Sequence, residues 1–364
     1  MSNTPAEVRP IPLRPLPERP LVSVLMPNYN YAKYIGEAIK SVLQQTYPHW
    51  ELIVCDDGST DNSCEIVQRY QRKDSRIKLI RKENGGVASA LNAAYNKCNG
   101  QIICFLDADD LFELDKLSLV VRQFSNRWDF GFLVHPVQQI NAEGRFLGTY
   151  PLTGKLPAGW IAERLLDKGG VIELPPVSGL CLRREVADVI LPINPKFRTN
   201  ADGVIQRIAP LVTKVLPVKV PLARRRIHQR NITYSAEITL EYVEQQLKIE
   251  SSLWEEQHSF LNRWAPEAAR RLRRYEESLS FRLKTYVIQR LARNKSWRDA
   301  WNVLVRDPGF LELSLTRRML LRISCILPAT LFPLYIRAWW ASTTTKHVVS
   351  MITRLWPSYK QSYI

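Results

Sequence analysis

From Leu21 onward the chain repeats one pattern: a short apolar run, a polar cluster, then a stretch whose apolar positions recur at three-four spacing. The first run, Leu21-Val22-Ser23-Val24-Leu25-Met26, stops at Pro27-Asn28-Tyr29-Asn30, and Ile35, Ala38, Ile39, Val42 and Leu43 follow at helical spacing. The second, Glu51 to Cys55, ends in Asp56-Asp57-Gly58-Ser59-Thr60-Asp61, where Gly58 permits a tight turn and Ser59 or Thr60 can cap a helix carrying Ile66, Val67 and Tyr70 inward. The third, Ile77 to Ile80, runs into Asn84-Gly85-Gly86 and a helix with Val87, Ala90, Leu91 and Ala94 inward. The fourth, Gln101 to Leu106, ends in Asp107-Ala108-Asp109-Asp110. Such a succession with short connections predicts a mostly parallel, Rossmann-like sheet covered by helices on both faces, because right-handed crossovers put the helices there. Ligands in such sheets collect beyond the carboxyl ends of the strands. The clusters around Asn28, Asp57 and Asp109 all lie at those ends.

The last cluster has a chemical reading. Side chains two apart on an extended chain fall on the same side, so Asp107 and Asp109 can converge on one ligand while Ala108 faces away. A hard divalent cation takes carboxylate oxygens and keeps positions free for substrate phosphates, which is what a metal-diphosphate site requires. Taken alone, an Asp-x-Asp after a strand is more often a helix cap or a solvated turn. Asp110 has the position of a cap for a helix through Leu114, Leu117, Val121 and Phe124, and Asp57 could equally cap the turn at Gly58.

Together, Pro27 to Asn30, Val54 to Asp61, Asn84 to Val87 with Ala90 and Asn92, and Phe105 to Asp110 resemble the nucleotide-binding half of the family 2 glycosyltransferases, which have the GT-A fold. The match is close over residues 21–125 and looser over 126–235. The resemblance implies that Pro27, Asn28, Tyr29, Asn30, Asp56 and Asp57 hold the nucleoside. It sets Gly86 and Asn92 beside the nucleotide-sugar, Asp107 and Ala108 near ribose and phosphate, and Asp109 on a Mg2+ or Mn2+ ion. Leu91 stands where many members carry an arginine, so no phosphate role is assigned there. In the looser half, Pro176 to Arg183 resembles a glycine-containing loop lining the sugar and acceptor pocket, which brings in Gly179. Phe197 to Asp202 resembles the stretch holding the general base, with Ala201 in place of a usual glutamate and Asp202 retained. Arg224 to Asn231 resembles a closing Arg-x-His-x-x-Asn segment, which assigns Arg226 to the nucleotide-sugar and His228 to the metal.

Those residue types suit glycosyl transfer from a nucleotide-sugar. Negative charge builds on the departing diphosphate, where a cation on Asp109, with His228 and an arginine among Arg224 to Arg226, would offset it. An acceptor hydroxyl must lose its proton as it attacks, and an ionised aspartate within hydrogen-bond reach can take it, the role assigned to Asp202. Attack opposite the diphosphate inverts the anomeric centre. The alternative is a non-catalytic nucleotide-sugar binding or scaffold protein of the same fold, kept open by the altered neighbourhood of Asp202.

The 364 residues exceed one compact core. The expected division is a flexible proline-rich leader over 1–20, a catalytic domain over 21–235, a helical extension over 236–309 and a basic amphipathic tail over 310–364. Leu240, Val243, Leu247, Leu279, Leu283, Val287 and Leu291 stand at helical spacing in the extension, which packs on the catalytic unit or pairs subunits into a homo-oligomer. Six cysteines without a Cys-x-x-Cys pair read as reduced core thiols of a cytoplasmic protein. A net charge of +16 calls for anionic partners, and without an aromatic-interleaved basic strand or helix-turn-helix pattern nucleic acid is the weak choice. In the tail, seven basic side chains face one acid, Glu312, and Ile323 to Ile336 is apolar but only 14 residues long with Pro328 and Pro333 inside it. A spanning helix needs about 20. With Trp339, Trp340 and Trp356 nearby, the tail suits peripheral attachment to an anionic membrane on the cytoplasmic face, where a saccharide or lipid-linked acceptor would be met; packing as ordinary core is the other reading.

Overall fold

The computed structural model describes residues 7–150, 156–228, 231, 239–292, 297–306, 310, 321–322, 324–325 and 332. By contacts the chain divides into two units, one of residues 1–165, 172–233 and 256–270, the other of 166–171, 234–255 and 271–364.

The first unit carries the strands β1 (Val22–Asn28), β2 (Trp50–Asp56), β3 (Ile77–Arg81), β4 (Ile102–Phe105), β5 (Leu111–Phe112), β6 (Phe130–Val134), β7 (Val137–Asn141), β8 (Phe146–Tyr150), β9 (Leu180–Arg183), β10 (Lys214–Pro217) and β11 (Ala223–Ile227). Seven of them form one sheet in the order β10-β6-β9-β4-β1-β2-β3. Every neighbouring pair is parallel except those made by β9, which runs antiparallel to both β4 and β6. This is the mostly parallel sheet expected of the GT-A fold. The apolar runs Leu52 to Cys55 of β2 and Ile102 to Phe105 of β4 fit burial on both faces, and every residue of both strands is buried, Glu51 and Asp56 included. Register then places the site: Asn28 pairs with Asp56, so β1 and β2 end at one level, and β4 ends on the same side of the sheet three residues short of them, where Phe105 pairs with Leu25.

Helices α1 (Ile35–Leu43), α2 (Ser63–Gln71), α3 (Val87–Tyr95), α4 (Lys116–Asn126), α5 (Ala162–Asp167), α6 (Arg184–Ile190) and α7 (Ala201–Val212) follow. The stripe Ile35, Ala38, Ile39 and Val42 of α1 is fully buried, as its spacing predicts. A second, four-stranded sheet in the order β5-β11-β7-β8 has no counterpart in the sequence reading. Leu114, expected on the inner face of a helix, precedes α4 and is 56% exposed, because that helix starts at Lys116.

Two expected boundaries need correction. Residues 7–20 do not hang free: Val8 and Leu13 are buried, Ile11 N donates to Val212 O at 2.8 Å, and Arg14 N donates to Glu185 Oε1 at 3.1 Å. Nor does the first unit stop at 235, since Gln257 Nε2 donates to Arg207 O at 2.9 Å and residues 256–270 cluster with the sheet.

Beyond β11 come α8 (Leu240–Trp264), α9 (Pro266–Arg271), α10 (Leu279–Leu291) and α11 (Trp297–Val305). The second unit has its own apolar cluster of Val243, Tyr286, Val287, Leu304, Phe310, Leu321 and Phe332. Lys284 is buried there and donates to Glu250 Oε1 at 2.7 Å, which supplies the partner a buried ammonium needs. No described helix is long and apolar enough to cross a membrane. Most of the tail from 311 on lies outside the described residues.

Candidate active site

The polar clusters that follow β1, β2 and β4 on this side of the sheet open into one cavity of about 810 Å³ within the first unit. That volume suits a nucleotide-sized ligand. Asp57, Asp107, Asp109 and Asp202, acids from distant parts of the chain, all line it.

The β1 and β2 ends are knitted by short hydrogen bonds. Asn28 Nδ2 donates to Asp56 Oδ2 at 2.7 Å, and Ser59 N donates to Asp56 Oδ1 at 3.0 Å. Both oxygens of Asp56 are thus spent inside the turn. Asn30, at φ 60°, accepts from Thr60 N at 2.8 Å. Asp57 Oδ1 accepts from Lys82 Nζ at 2.7 Å and from Gly85 N at 3.0 Å, and its Oδ2 accepts from Gly86 N at 2.7 Å. Asp57 therefore clamps the Asn84-Gly85-Gly86 loop and faces the cavity as well. Gly86 has φ 86°, and a Cβ there would stand 2.5 Å from Arg198 Cα. This close backbone approach joins the nucleotide side to the segment leading to Asp202.

The acidic turn after β4 concentrates charge. Burial, then the neighbouring Asp110, Asp109 and Asp202, hold the Asp107 carboxyl well above the usual carboxylate range. Asp110 is pushed up to about 7, first by burial and then by Asp109. It does not cap α4: Ser178 Oγ donates to its Oδ2 at 2.6 Å and Arg226 N to its Oδ1 at 2.9 Å, so it binds the turn to β11. Lys116, fully buried at the start of α4, donates to Ser178 O at 2.6 Å and fixes the same loop from behind.

Asp109 Oδ2 lies 3.0 Å from His228 Nε2 and accepts from Asn231 Nδ2 at 3.1 Å. The two groups are hydrogen-bonded to each other, and their 3.0 Å separation is also compatible with two adjacent ligands of one octahedral cation, whose bonds of about 2.1 Å at a right angle end about 3.0 Å apart. The described residues hold no group of three or more His, Cys, Asp or Glu set to bind a metal by themselves. One carboxylate and one imidazole therefore fit a cation whose remaining positions go to water and diphosphate oxygens, the habit of Mg2+ and Mn2+.

On the opposite side, Asn200, left-handed at φ 58°, opens α7, and Asp202 sits in its first turn. Gly203 N donates to Asp202 Oδ1 at 3.0 Å. Burial raises the Asp202 carboxyl above its ordinary value, with Arg225 opposing. Ala201, where the resemblance leads one to expect an acid, is buried.

Of the residues singled out from sequence, Pro27, Asn28, Tyr29, Asn30, Asp57, Gly86, Asp107, Ala108, Asp109 and Asp202 line the cavity. Five do not. Asp56 serves its own turn. Asn92 spends its amide on the Ile193 backbone, donating to O at 2.7 Å and accepting from N at 2.8 Å. Gly179 lies under Pro175 and His135, which a Cβ would meet at 2.6 and 2.7 Å. Arg226 turns inward, 2% exposed, and it is Arg225 that lines the cavity. His228 lines a neighbouring cavity of about 470 Å³ and reaches the first through Asp109. Sequence reasoning missed Tyr31, Thr60, Asp61, Asn84, Arg198 and Asn231 as lining residues, and named Arg225 only as one of three candidate arginines. Strand alternation along β11 was the signal that separates Arg225 from Arg226.

Comparison with known proteins bears on the family and the fold. Residues 23–163 match the family model described as glycosyl transferase family 2. An uncharacterized glycosyltransferase of Nostoc sp. is 36% identical over 217 residues, 59% of this chain and 67% of its own length. Chondroitin synthase of Pasteurella multocida is 36% identical over 127 residues, 35% of this chain but only 13% of that enzyme. Among solved structures, a mannosyltransferase of Pyrobaculum calidifontis, in complex with GDP-Man and Mn2+, is similar with a TM-score of 0.51 at 19% identity, over 96% of this chain and 91% of that one. At that identity the likeness concerns the fold.

Proposed function

The chain belongs to glycosyl transferase family 2, and we propose that it moves a sugar from a nucleotide-diphosphate sugar to a hydroxyl of a saccharide or lipid-linked acceptor, with inversion at the anomeric carbon. One observation carries the reading: Asp57, Asp109 and Asp202 share a single cavity beyond the carboxyl ends of the sheet. The nucleoside rests against Pro27, Asn28, Tyr29 and Asn30, and Asp57 holds the glycine loop that closes this side. A divalent cation held by Asp109 and His228 supplies positive charge against the departing diphosphate. Arg225, a lining cation near Asp202, adds to that charge. Asp202 takes the proton of the attacking hydroxyl, and its carboxyl, raised by burial, is a better base than an exposed aspartate. The Mn2+ and GDP-Man bound by the similar mannosyltransferase support the donor and metal assignments.

The test is donor hydrolysis and transfer by wild type and Asp202→Asn with each nucleotide-sugar that raises the thermal midpoint. The expected result is unchanged donor binding with transfer reduced by about 10²- to 10⁴-fold. Undiminished transfer would remove Asp202 from the role, and absence of any transfer by wild type would favour a binding or scaffold protein. The basic tail extends the proposal to peripheral attachment on the cytoplasmic face of an anionic membrane. Flotation with anionic liposomes, compared with a chain ending near Phe310, tests it; equal flotation would remove the idea.

A further inference from the structure

Asp109 and His228 arrive from different strand ends, and a set of side chains behind the large cavity fixes both. The Tyr34 ring stacks on the His228 imidazole, with centroids 4.9 Å apart and planes inclined by 25°. The Arg226 guanidinium carbon lies 4.8 Å from the centroid of the same tyrosine ring. From there Arg226 reaches three elements. Its Nε donates to the Asp109 carbonyl at 3.1 Å, its Nη1 to Ala142 O at 3.0 Å between β7 and β8, and its Nη2 to Glu37 Oε2 of α1 at 2.8 Å. Arg226 is nearly inaccessible, so Glu37 offsets a charge that would otherwise be costly to bury.

This arrangement has one consistent consequence. An imidazole can swing about its side-chain bonds, and a stacked ring on one face restricts that swing. A carboxylate follows its backbone, and the guanidinium holds the carbonyl of Asp109 itself. Both restraints meet at Arg226 and Tyr34. We propose that Tyr34 and Arg226 are positioning residues that hold the His228 imidazole and the Asp109 carboxylate side by side, hydrogen-bonded at 3.0 Å, so that both can face one divalent cation. The inference rests on the metal reading above and assigns Arg226 a place beside the ligands, outside the nucleotide-sugar pocket. Partners that orient metal ligands are worth roughly 10- to 100-fold in metal affinity.

The experiment titrates Mn2+ by loss of the free-ion electron paramagnetic resonance signal, in the presence of uridine diphosphate and, in parallel, guanosine diphosphate. Tyr34→Leu and Arg226→Lys are expected to weaken Mn2+ binding by about 10- to 100-fold, while Tyr34→Phe, which keeps the ring, stays within about twofold of wild type. A purely structural role would lower the thermal midpoint of Tyr34→Leu without this selectivity. In a His228→Ala background, Tyr34→Leu is expected to add less than about twofold, since its effect passes through the imidazole. Wild-type affinity in Tyr34→Leu, or losses that multiply in the double variant, would overturn the inference while leaving the metal reading standing. Should Tyr34→Leu fail to fold, Arg226→Lys decides by the same titration, and unchanged Mn2+ affinity in the folded protein overturns it. Failure of wild type to bind Mn2+ with either nucleotide would overturn the metal reading and this inference together.

Discussion

Gly86→Ala is the sharpest perturbation of the join between the two sides of the cavity. The residue sits at φ 86° and ψ 174°, a region that residues with a Cβ pay about 1–3 kcal/mol to enter. The added methyl would also stand 2.5 Å from Arg198 Cα and 2.8 Å from Arg198 O, so backbone must move. Two hydrogen bonds resist that movement, Val87 N to Arg198 O at 2.9 Å and Ala88 N to Phe197 O at 3.3 Å. Losing them costs about 1 kcal/mol each, which brings the expected destabilisation to about 3–5 kcal/mol. Gly144→Ala is the control, with φ 83° and nothing within 4 Å of the built Cβ, so only backbone strain of about 1–3 kcal/mol remains. Urea unfolding of both variants separates the two contributions. Arg198 leads into α7, so transfer by residual folded Gly86→Ala should also fall by about tenfold or more, as expected when a catalytic group is misplaced. A Gly86→Ala loss equal to that of Gly144→Ala, or below about 1 kcal/mol, would refute the close-approach argument.

Other outcomes follow from the same geometry. Asp202 must be ionised to accept a proton, and burial raises its carboxyl, so transfer should fall as pH drops through a value above the ordinary aspartate range of about 3.9. A pH profile of kcat/KM whose acid limb is unchanged in Asp202→Asn would exclude this. Asn92→Ala removes both bonds to Ile193, so unfolding should become easier by about 1–3 kcal/mol while the donor KM stays within about twofold. A donor KM raised tenfold at unchanged stability would return Asn92 to the pocket.

Strands β1, β2 and β4 were legible because each carries an apolar run buried on both faces and is closed by turn-forming residues, and the half-buried edge strand β3 because its short apolar run ends before Asn84-Gly85-Gly86. Asp107 and Asp109 do reach one cavity, but not by strand alternation: they stand in a turn after β4 in which Asp110 N donates to Asp107 O at 3.0 Å, and Ala108, expected to face away, lines the cavity with them. The second sheet was not legible: β5 has two residues, and β8 exposes Phe146 and Leu147, so neither carries the alternation that marks a half-buried strand. Asp110 looked like a helix cap because the cap position and a buried bridge to Ser178 and Arg226 share one local sequence; only the arrival of β11 and the Ser178 loop distinguishes them. Three consecutive arginines in β11 hid the facing pattern, since charge alone does not say which of Arg225 and Arg226 turns inward. The leader misread as free chain shows the limit of composition. Prolines predict extension, and extended chain can equally lie bound along a folded surface.

The central claim is that Asp109 holds a cation that in turn holds a pyrophosphate. Isothermal titration of uridine, guanosine, thymidine and cytidine diphosphates, with and without Mn2+, into wild type and Asp109→Ala tests it directly. The account predicts that at least one nucleotide binds wild type in a Mn2+-dependent manner and that Asp109→Ala weakens this binding by more than about tenfold, the smallest loss expected when a ligand's own support is removed. Binding that needs no metal, or that Asp109→Ala leaves at wild-type strength, would contradict it.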